Sequence, residues 1–129
     1  MSLSGSYTHC RDENFEEFLK AAGVNDSMIR KMCPSTPTLE MQETTSGVTI
    51  TYGHGGDTYT NVVTYGQESL VDVAGFKYYV KASKTPNGYE GTYRLENKTG
   101  TSSAELIGDT LTRTMTLDGV VSKRIFTKQ

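Results

Sequence analysis

The stretch TLTRTMTLDGVVSKRIF, residues Thr110–Phe126, carries the strongest indication of the fold. Apolar and polar residues alternate through both of its halves, with the period of a half-buried β-strand. Asp118-Gly119 lies between the halves and favours a two-residue type I′ turn, because both central positions of that turn need a positive φ. The stretch therefore predicts a tight antiparallel hairpin whose register is determined by the turn.

The predicted register brings two arginines together on the more apolar face of the hairpin, which we expect to be buried. Like charges directly opposite each other destabilise a sheet, and an unpaired buried charge is costly. We therefore expect an anion between the arginines, and replacing either one should stabilise the ligand-free protein or leave its stability unchanged. The pairs on this face are Leu117 with Val120, Met115 with Ser122, Arg113 with Arg124, and Leu111 with Phe126.

Two alternatives to a bound anion remain open for Arg113 and Arg124. The guanidinium groups could pair with glutamates inside the protein, or a one-residue slip of register could turn one of them outwards. The preceding turn, Gly108-Asp109, suits a type II′ turn, which would pair Ala104 with Arg113 and extend the row onto a third strand.

Strand patterns continue through most of the chain. Asn87-Gly88 predicts a further hairpin in which Ala82 faces Tyr93 on the inner side and Lys81 faces Arg94 on the outer side. Two helices are predicted near the start, one capped by Asp12 or Asn14 and ended by Gly23, the other over Asn25–Met32 with Asp26 or Ser27 as its cap. The predicted strands are Ser4–Arg11, Leu39–Thr44, Val48–Tyr52, Thr58–Tyr65, Ser69–Val73, Lys77–Ser83, Tyr89–Glu96, Thr101–Ile107, Thr110–Leu117 and Val120–Lys128.

Ten strands in hairpin order predict an all-β fold, an antiparallel up-and-down β-barrel that closes on itself to remove its edges. At 129 residues the chain suits a single domain, residues 1–129. The 13 Lys and Arg balance 15 Asp and Glu, which argues against a nucleic-acid partner. No apolar stretch approaches the roughly 18 residues of a membrane span, and the N-terminus lacks the pattern of a signal peptide, so we expect a cytoplasmic protein.

The residue types that usually carry chemistry are few and poorly placed for it. Cys10 and Cys33 have no metal-binding spacing, and two free thiols are favoured over a disulfide because no secretory signal is found. His9 precedes Cys10, but adjacent strand residues point to opposite faces, so they do not form a nucleophile pair. We expect no catalytic residue, no metal site and no cofactor.

The predicted interior is apolar and aromatic with one cationic region, which suits the carboxylate of an amphipathic lipid. A modest apolar content of 35% fits a hollow barrel better than a solid core. The candidate ligand-binding residues are Arg113, Arg124, Ser122, Met115, Leu111, Phe126, Ala104, Ile50 and Tyr93. Phe15, Phe18 and Leu19 of the first helix, and Met28, Met32 and Met41, are interpreted as packing residues in preference to ligand contacts.

Three stretches resemble the intracellular lipid-binding proteins, which include fatty-acid-, bile-acid- and retinoid-binding proteins. GSY…ENFEEFLKAAGV, residues 5–24, resembles the N-terminal motif of that family, and AELIGDTLTRTMTLDGVVSKRIF resembles its liver-type fatty-acid-binding branch. GHGGDTYTNVVTYGQES resembles the bile-acid-binding branch. The resemblance implies a ten-stranded clam-shaped barrel with a helix-turn-helix lid between strands 1 and 2, and a cytoplasmic lipid carrier without catalytic activity.

The resemblance leaves the lipid open. A long-chain fatty acid is the first choice, and bile-acid and retinoid-type lipids are alternatives. A barrel that uses its outer surface for signalling or interaction, without lipid, is the alternative from another class. We expect a monomer that makes transient contact with membranes.

The family pattern is incomplete at the head-group positions. Many members carry one arginine on the eighth strand and an Arg-x-Tyr on the tenth. Arg124 matches the second arginine, whereas Ala104 stands at the position of the first and Phe126 at that of the tyrosine. Arg113 stands where the liver-type branch has a polar amide. The resemblance therefore implies a head-group site that differs from the three-residue site of the heart-type members.

Overall fold

The computed structural model of the chain describes residues 3–32, 37–54 and 56–129. Ten antiparallel strands and two short helices follow one another, and the helices α1 (Phe15–Ala21) and α2 (Asp26–Met32) lie between the first and second strands. The strands are β1 Gly5–Glu13, β2 Thr38–Glu43, β3 Gly47–His54, β4 Asp57–Thr64, β5 Glu68–Val73, β6 Phe76–Thr85, β7 Gly88–Leu95, β8 Lys98–Ile107, β9 Thr110–Leu117 and β10 Val120–Lys128.

The strands form one sheet in the order β4-β3-β2-β1-β10-β9-β8-β7-β6-β5, which curls into a nearly closed barrel. Strands that follow one another in sequence pair with each other, except β4 and β5, and β1 pairs with β10 to join the two ends of the chain. The expected all-β, ten-stranded up-and-down barrel with a helical pair between strands 1 and 2 is confirmed.

The β9–β10 hairpin has the predicted register. Asp118 and Gly119 both have a positive φ, 49° and 82°, as a type I′ turn requires. Arg113 lies directly opposite Arg124, and Leu111 lies opposite Phe126. Ala104 of β8 also pairs with Arg113, so the predicted row across three adjacent strands is present.

The turn of the β6–β7 hairpin lies one residue earlier than expected, which shifts the pairing of the two strands by two residues. Pro86-Asn87 occupies the centre of the turn, because proline fixes the φ that the first central position of a common turn needs. A shift by two keeps the same side chains facing inwards, so the inner face was predicted correctly although the partners were not. The observed pairs are Thr85 with Gly88, Val80 with Tyr93 and Tyr79 with Arg94, in place of the expected pairs Ala82 with Tyr93 and Lys81 with Arg94.

Local hydrogen bonds define the end of α1 and the start of α2. After α1, Gly23 has φ of 82°, and hydrogen bonds from Gly23 N to Lys20 O and from Val24 N to Leu19 O form the left-handed cap that favours glycine. The N-cap of α2 is Asn25, whose Oδ1 accepts a hydrogen bond from Met28 N at 2.9 Å. The sequence had predicted Asp26 or Ser27 as the cap, and that prediction is wrong.

Helix α1 is attached to the barrel at both ends and packs against β9 and β10. Asn14, at its N-terminus, donates from Nδ2 to the backbone oxygen of Val121 at 3.1 Å and makes no capping bond of its own. Lys98 Nζ donates to the backbone oxygen of Ala21 at 2.8 Å and also pairs with Asp118 at 3.0 Å. These contacts fix α1 over the interior of the barrel.

The barrel is interrupted between β4 and β5, which are the two ends of the hydrogen-bonded strand order. Side chains bridge this gap. The Asn61 amide donates to Asp72 O at 3.2 Å and accepts from Asp72 N at 3.0 Å, and Ser69 Oγ accepts from Thr64 N at 3.0 Å. The strands that do not pair through their backbones are thus joined through polar side chains.

Candidate ligand-binding site

An internal cavity that is partly open to solvent lies between the helices and the strands. Its lining is mostly aliphatic and aromatic with a few polar groups, as in small-molecule sites. The described residues that line it are Phe15, Phe18, Met32, Ile50, Tyr52, Asn61, Val71, Val73, Phe76, Tyr78, Ser102, Ser103, Arg113, Met115, Ser122 and Arg124.

A β-bulge in β1 turns an acidic side chain towards the interior. His9 pairs with Phe126 and Arg11 pairs with the next residue of β10, Ile125, so that Cys10 is an extra residue in β1. The bulge reverses the alternation that follows it, which leaves Arg11 exposed and places Asp12 opposite Arg124. An unbulged strand would have turned Asp12 to the outside.

Asp12 is the counter-ion of Arg124. Its Oδ1 accepts a hydrogen bond from Arg124 Nε at 2.9 Å, and its Oδ2 accepts one from Nη2 of the same guanidinium at 3.3 Å. This is the bidentate geometry that arginine forms with carboxylates. His9 Nε2 also lies 2.7 Å from Asp12 Oδ1, and the His9 ring packs edge-on against Phe126. Arg124, Asp12 and His9 form a mostly buried hydrogen-bonded network, with side-chain exposures of 10%, 17% and 8%, respectively.

The rest of the Arg124 guanidinium is also in contact. The ring of Phe15, from α1, lies against its face, with 4.1 Å between Cζ and the ring centroid. Its Nη1 lies 3.4 Å from the hydroxyl of Tyr52. Arg124 therefore has a counter-ion within the protein, an aspartate of β1 and not one of the glutamates considered as alternatives. Because β1 and β9 flank β10 on opposite sides, this aspartate does not take the place of the anion expected between the two arginines.

Arg113 has a different environment. Among the described residues no carboxylate pairs with it, and its neighbours are the tyrosines Tyr52, Tyr78 and Tyr89. Its Cζ lies 5.5 Å from the centroid of the Tyr52 ring. Burial lowers the pKa of Arg113, but the three tyrosine oxygens outweigh burial, so the pKa stays above the usual range and the group is charged.

Tyr78, one of the neighbours of Arg113, is a neutral hydrogen-bonding group at physiological pH. Burial raises the pKa of Tyr78 to about 12, against an opposing effect of the Arg113 charge. Burial likewise raises the pKa of Tyr93, whose hydroxyl donates to Thr116 O at 2.7 Å. Arg113 is therefore a cation next to tyrosine rings and hydroxyls, with no carboxylate partner among the described residues.

The predicted site residues divide into two groups. Five of the nine line the cavity: Arg113, Arg124, Ser122, Met115 and Ile50. The other four do not line it and are almost fully buried in the wall: Leu111, Phe126, Ala104 and Tyr93. All nine face inwards, but alternation along a strand does not distinguish a cavity wall from the packed part of the interior.

Several lining residues were missed or interpreted otherwise. Phe15, Phe18 and Met32 line the cavity, although packing was the preferred interpretation for them, whereas Leu19 and Met41 are core residues. The strands β4 to β6 contribute lining residues that were not singled out: Asn61, Val71, Val73, Phe76 and Tyr78. Their alternation could have identified them. Nothing in the sequence pattern indicated Asp12, because the bulge that turns it inwards has no local signature.

Other kinds of site find little support. Within residues 3–32, 37–54 and 56–129, no group of three or more His, Cys, Asp or Glu side chains is placed to hold a metal ion. Each of the helices in the described ranges has seven residues, too few to cross a bilayer. Cys10 is a free, exposed thiol, and Cys33 lies outside the described residues.

Comparison with known proteins decides the family. A family model described as the lipocalin / cytosolic fatty-acid binding protein family matches residues 1–129. The chain belongs to this family. It is 35% identical to the liver fatty acid-binding protein of Sus scrofa over 97% of both chains, and 33% identical to the liver-type protein of Takifugu rubripes over 95% of both.

A solved structure of the same family has the same fold. The fatty-acid-binding protein from Manduca sexta superposes on this chain with a TM-score of 0.85 at 26% identity, covering 98% of this chain and 99% of that one. The resemblance to fatty-acid-binding proteins, and in particular to their liver-type branch, is thus confirmed over nearly the whole chain.

Proposed function

We propose that this protein is an intracellular carrier that holds a long-chain fatty acid inside the barrel, with the carboxylate at Arg113. The single observation that carries the proposal is the setting of Arg113: a charged guanidinium that lines a mostly apolar cavity and has no carboxylate partner among the described residues. Kinship with proteins named for fatty-acid binding supports the same ligand.

The two ends of a fatty acid would contribute differently. Burial of the tail stabilises the complex by about 0.8 kcal/mol for each methylene removed from water, so the apolar lining supplies most of the affinity. A charged hydrogen bond at the head contributes roughly 1.5–3 kcal/mol. The tail thus determines whether a lipid binds, and Arg113, with the hydroxyls of Ser102 and Ser122 on the same lining, determines which head group is preferred.

The remaining features of a carrier belong to the same proposal. We infer a single lipid-binding domain over residues 1–129, a monomer in the cytoplasm and no catalytic activity, in keeping with a family described as cytosolic and fatty-acid binding. Transient contact with a membrane would serve the loading and release of lipid.

The test compares palmitate with methyl palmitate by isothermal titration calorimetry on delipidated protein. The two ligands share a tail and differ in the charge of the head, so palmitate is expected to bind at least tenfold more tightly. Decanoate serves as the tail control and should bind more weakly than palmitate. Equal affinities for acid and ester would contradict the assignment of a carboxylate to Arg113.

Native mass spectrometry of the freshly purified protein distinguishes a fatty-acid carrier from the alternatives. A co-purified fatty acid supports the proposal, whereas a co-purified bile acid or retinoid would show that the protein is a lipid carrier with a different ligand. If the purified protein carries no lipid and binds neither palmitate nor these alternatives, the lipid-carrier proposal is wrong.

A further inference from the structure

We propose that Asp12 is a specificity-determining residue: it holds the Arg124 guanidinium, leaves Arg113 as the cation available to a ligand, and restricts the barrel to lipids with a singly charged head group. The inference rests on the proposed lipid-carrier function and adds to it the charge of the head group. It is carried by the ion pair between Asp12 and Arg124, and by the absence of such a pair at Arg113 among the described residues.

The charge facing the cavity follows from these contacts. Of the described residues that line the cavity, two are cationic, Arg113 and Arg124, and they are direct cross-strand partners. The carboxylate of Asp12 forms a bidentate ion pair with Arg124, so the protein itself neutralises one of the two positive charges. The cavity thus presents a net charge of about +1 to a ligand instead of +2.

The geometry of Arg124 also limits what a ligand can reach. The edge formed by Nε and Nη2 is occupied by Asp12, Phe15 covers one face, and the Tyr52 hydroxyl lies near Nη1. A second ligand carboxylate brought to Arg124 would meet the negative charge of Asp12 and would find one of the two bidentate edges of the guanidinium taken. A doubly charged head group would therefore have one charge desolvated without a partner, which disfavours its binding.

Removal of the Asp12 charge should create a second anion position. In Asp12→Asn, the Arg124 guanidinium keeps its place on β10 and its contact with Phe15 but loses its counter-ion. Arg113 and Arg124 would then present two cations side by side, which is the arrangement that the hairpin alone predicts. A ligand with two carboxylates on one carbon should use both cations.

The experiment measures the affinities of palmitate and tetradecylmalonate, which is palmitate with a second carboxylate on the carbon next to the head group. Delipidated full-length protein is titrated at pH 8, where both carboxylates of the malonate are ionised. Wild type should prefer palmitate, and Asp12→Asn should shift the ratio of the two affinities towards tetradecylmalonate by about tenfold or more.

Two control variants separate the Asp12 contact from a general effect of charge. Glu13→Gln removes the neighbouring acid, which is exposed and pairs with Arg11 on the surface, so it should keep the wild-type ratio. Asp12→Glu retains the negative charge and should retain the preference for palmitate. A ratio that changes equally in Glu13→Gln, or that does not change in Asp12→Asn, would overturn the proposal while palmitate binding itself stood.

A further variant decides the matter if Asp12→Asn does not fold. Asp12→Asn/Arg124→Gln removes both members of the pair, so it avoids an unpaired buried charge. It should bind palmitate within about threefold of wild type and should still discriminate against tetradecylmalonate, because Arg113 remains the cation in use. If wild type binds palmitate and this double variant does not, the ligand uses Arg124, which contradicts the proposal. Absence of palmitate binding in wild type would remove the proposed function, and this inference with it.

Discussion

Replacement of Arg124 by glutamine is expected to destabilise the ligand-free protein, contrary to what the hairpin alone suggests. The substitution leaves Asp12 mostly buried, with His9 as its remaining polar contact in the network. Removing one member of a buried ion pair costs about 3 kcal/mol, at the lower end of the usual range because both side chains retain some exposure. In a chain of this length, that loss corresponds to a fall in Tm of roughly 10 °C.

The assay is thermal and urea unfolding of delipidated protein, followed by circular dichroism. Arg11→Gln is the matched control, because Arg11 is 64% exposed and pairs with an exposed glutamate, so its loss should cost less than about 1 kcal/mol. The double variant Asp12→Asn/Arg124→Gln should recover most of the lost stability, since no charge is left unpaired. An Arg124→Gln protein as stable as wild type, or more stable, would refute the assignment of Asp12 as the internal counter-ion.

Three further predictions test other parts of the structure. Burial would raise the pKa of the Glu43 carboxyl, but hydrogen bonds from Leu3 N and Lys84 Nζ outweigh it and hold the pKa below the usual 4.5. Glu43→Gln should therefore have a lower free energy of unfolding than wild type at pH 7, and this difference, measured by urea unfolding, should shrink as the pH falls below 4.5. A difference that grew in acid would contradict the prediction. Gly91→Ala should cost about 1–3 kcal/mol in the same assay, because the added Cβ would lie 1.9 Å from Lys81 O, and unchanged stability would argue against the β6–β7 register. Cys10 is exposed, so the native protein should react with DTNB, and Cys10→Ser should remove one fast-reacting thiol; no change in that count would place the thiol elsewhere.

The sequence predicts the fold because most of its turns are local. Asp118-Gly119 determines the register of β9 and β10, and with it the inward direction and mutual contact of Arg113 and Arg124. Each further hairpin adds one strand to the next, so a chain of correct turns is enough to give the order of strands. The error at Pro86-Asn87 shows the limit of this reasoning: two adjacent dipeptides both favour a turn, and proline at the first central position prevails.

The candidate site was predicted less completely, for a physical reason. Inward direction follows from alternation, but the division of the interior into cavity and packed core depends on how strands and helices meet, which alternation does not encode. Leu111 and Ile50 both face inwards, yet only Ile50 lines the cavity. Asp12 was beyond reach because the bulge at Cys10 changes the face of every later residue in β1, and the partner that makes this favourable, Arg124, lies at the other end of the chain.

A crystal structure of the palmitate complex tests the central claim most directly. The account predicts the tail inside the barrel beneath Phe15 and Phe18, and a carboxylate oxygen about 2.7–2.9 Å from the Arg113 guanidinium, with the Asp12–Arg124 pair intact. A carboxylate that displaced Asp12 from Arg124 and left Arg113 without contact, or a palmitate bound outside the barrel, would contradict it.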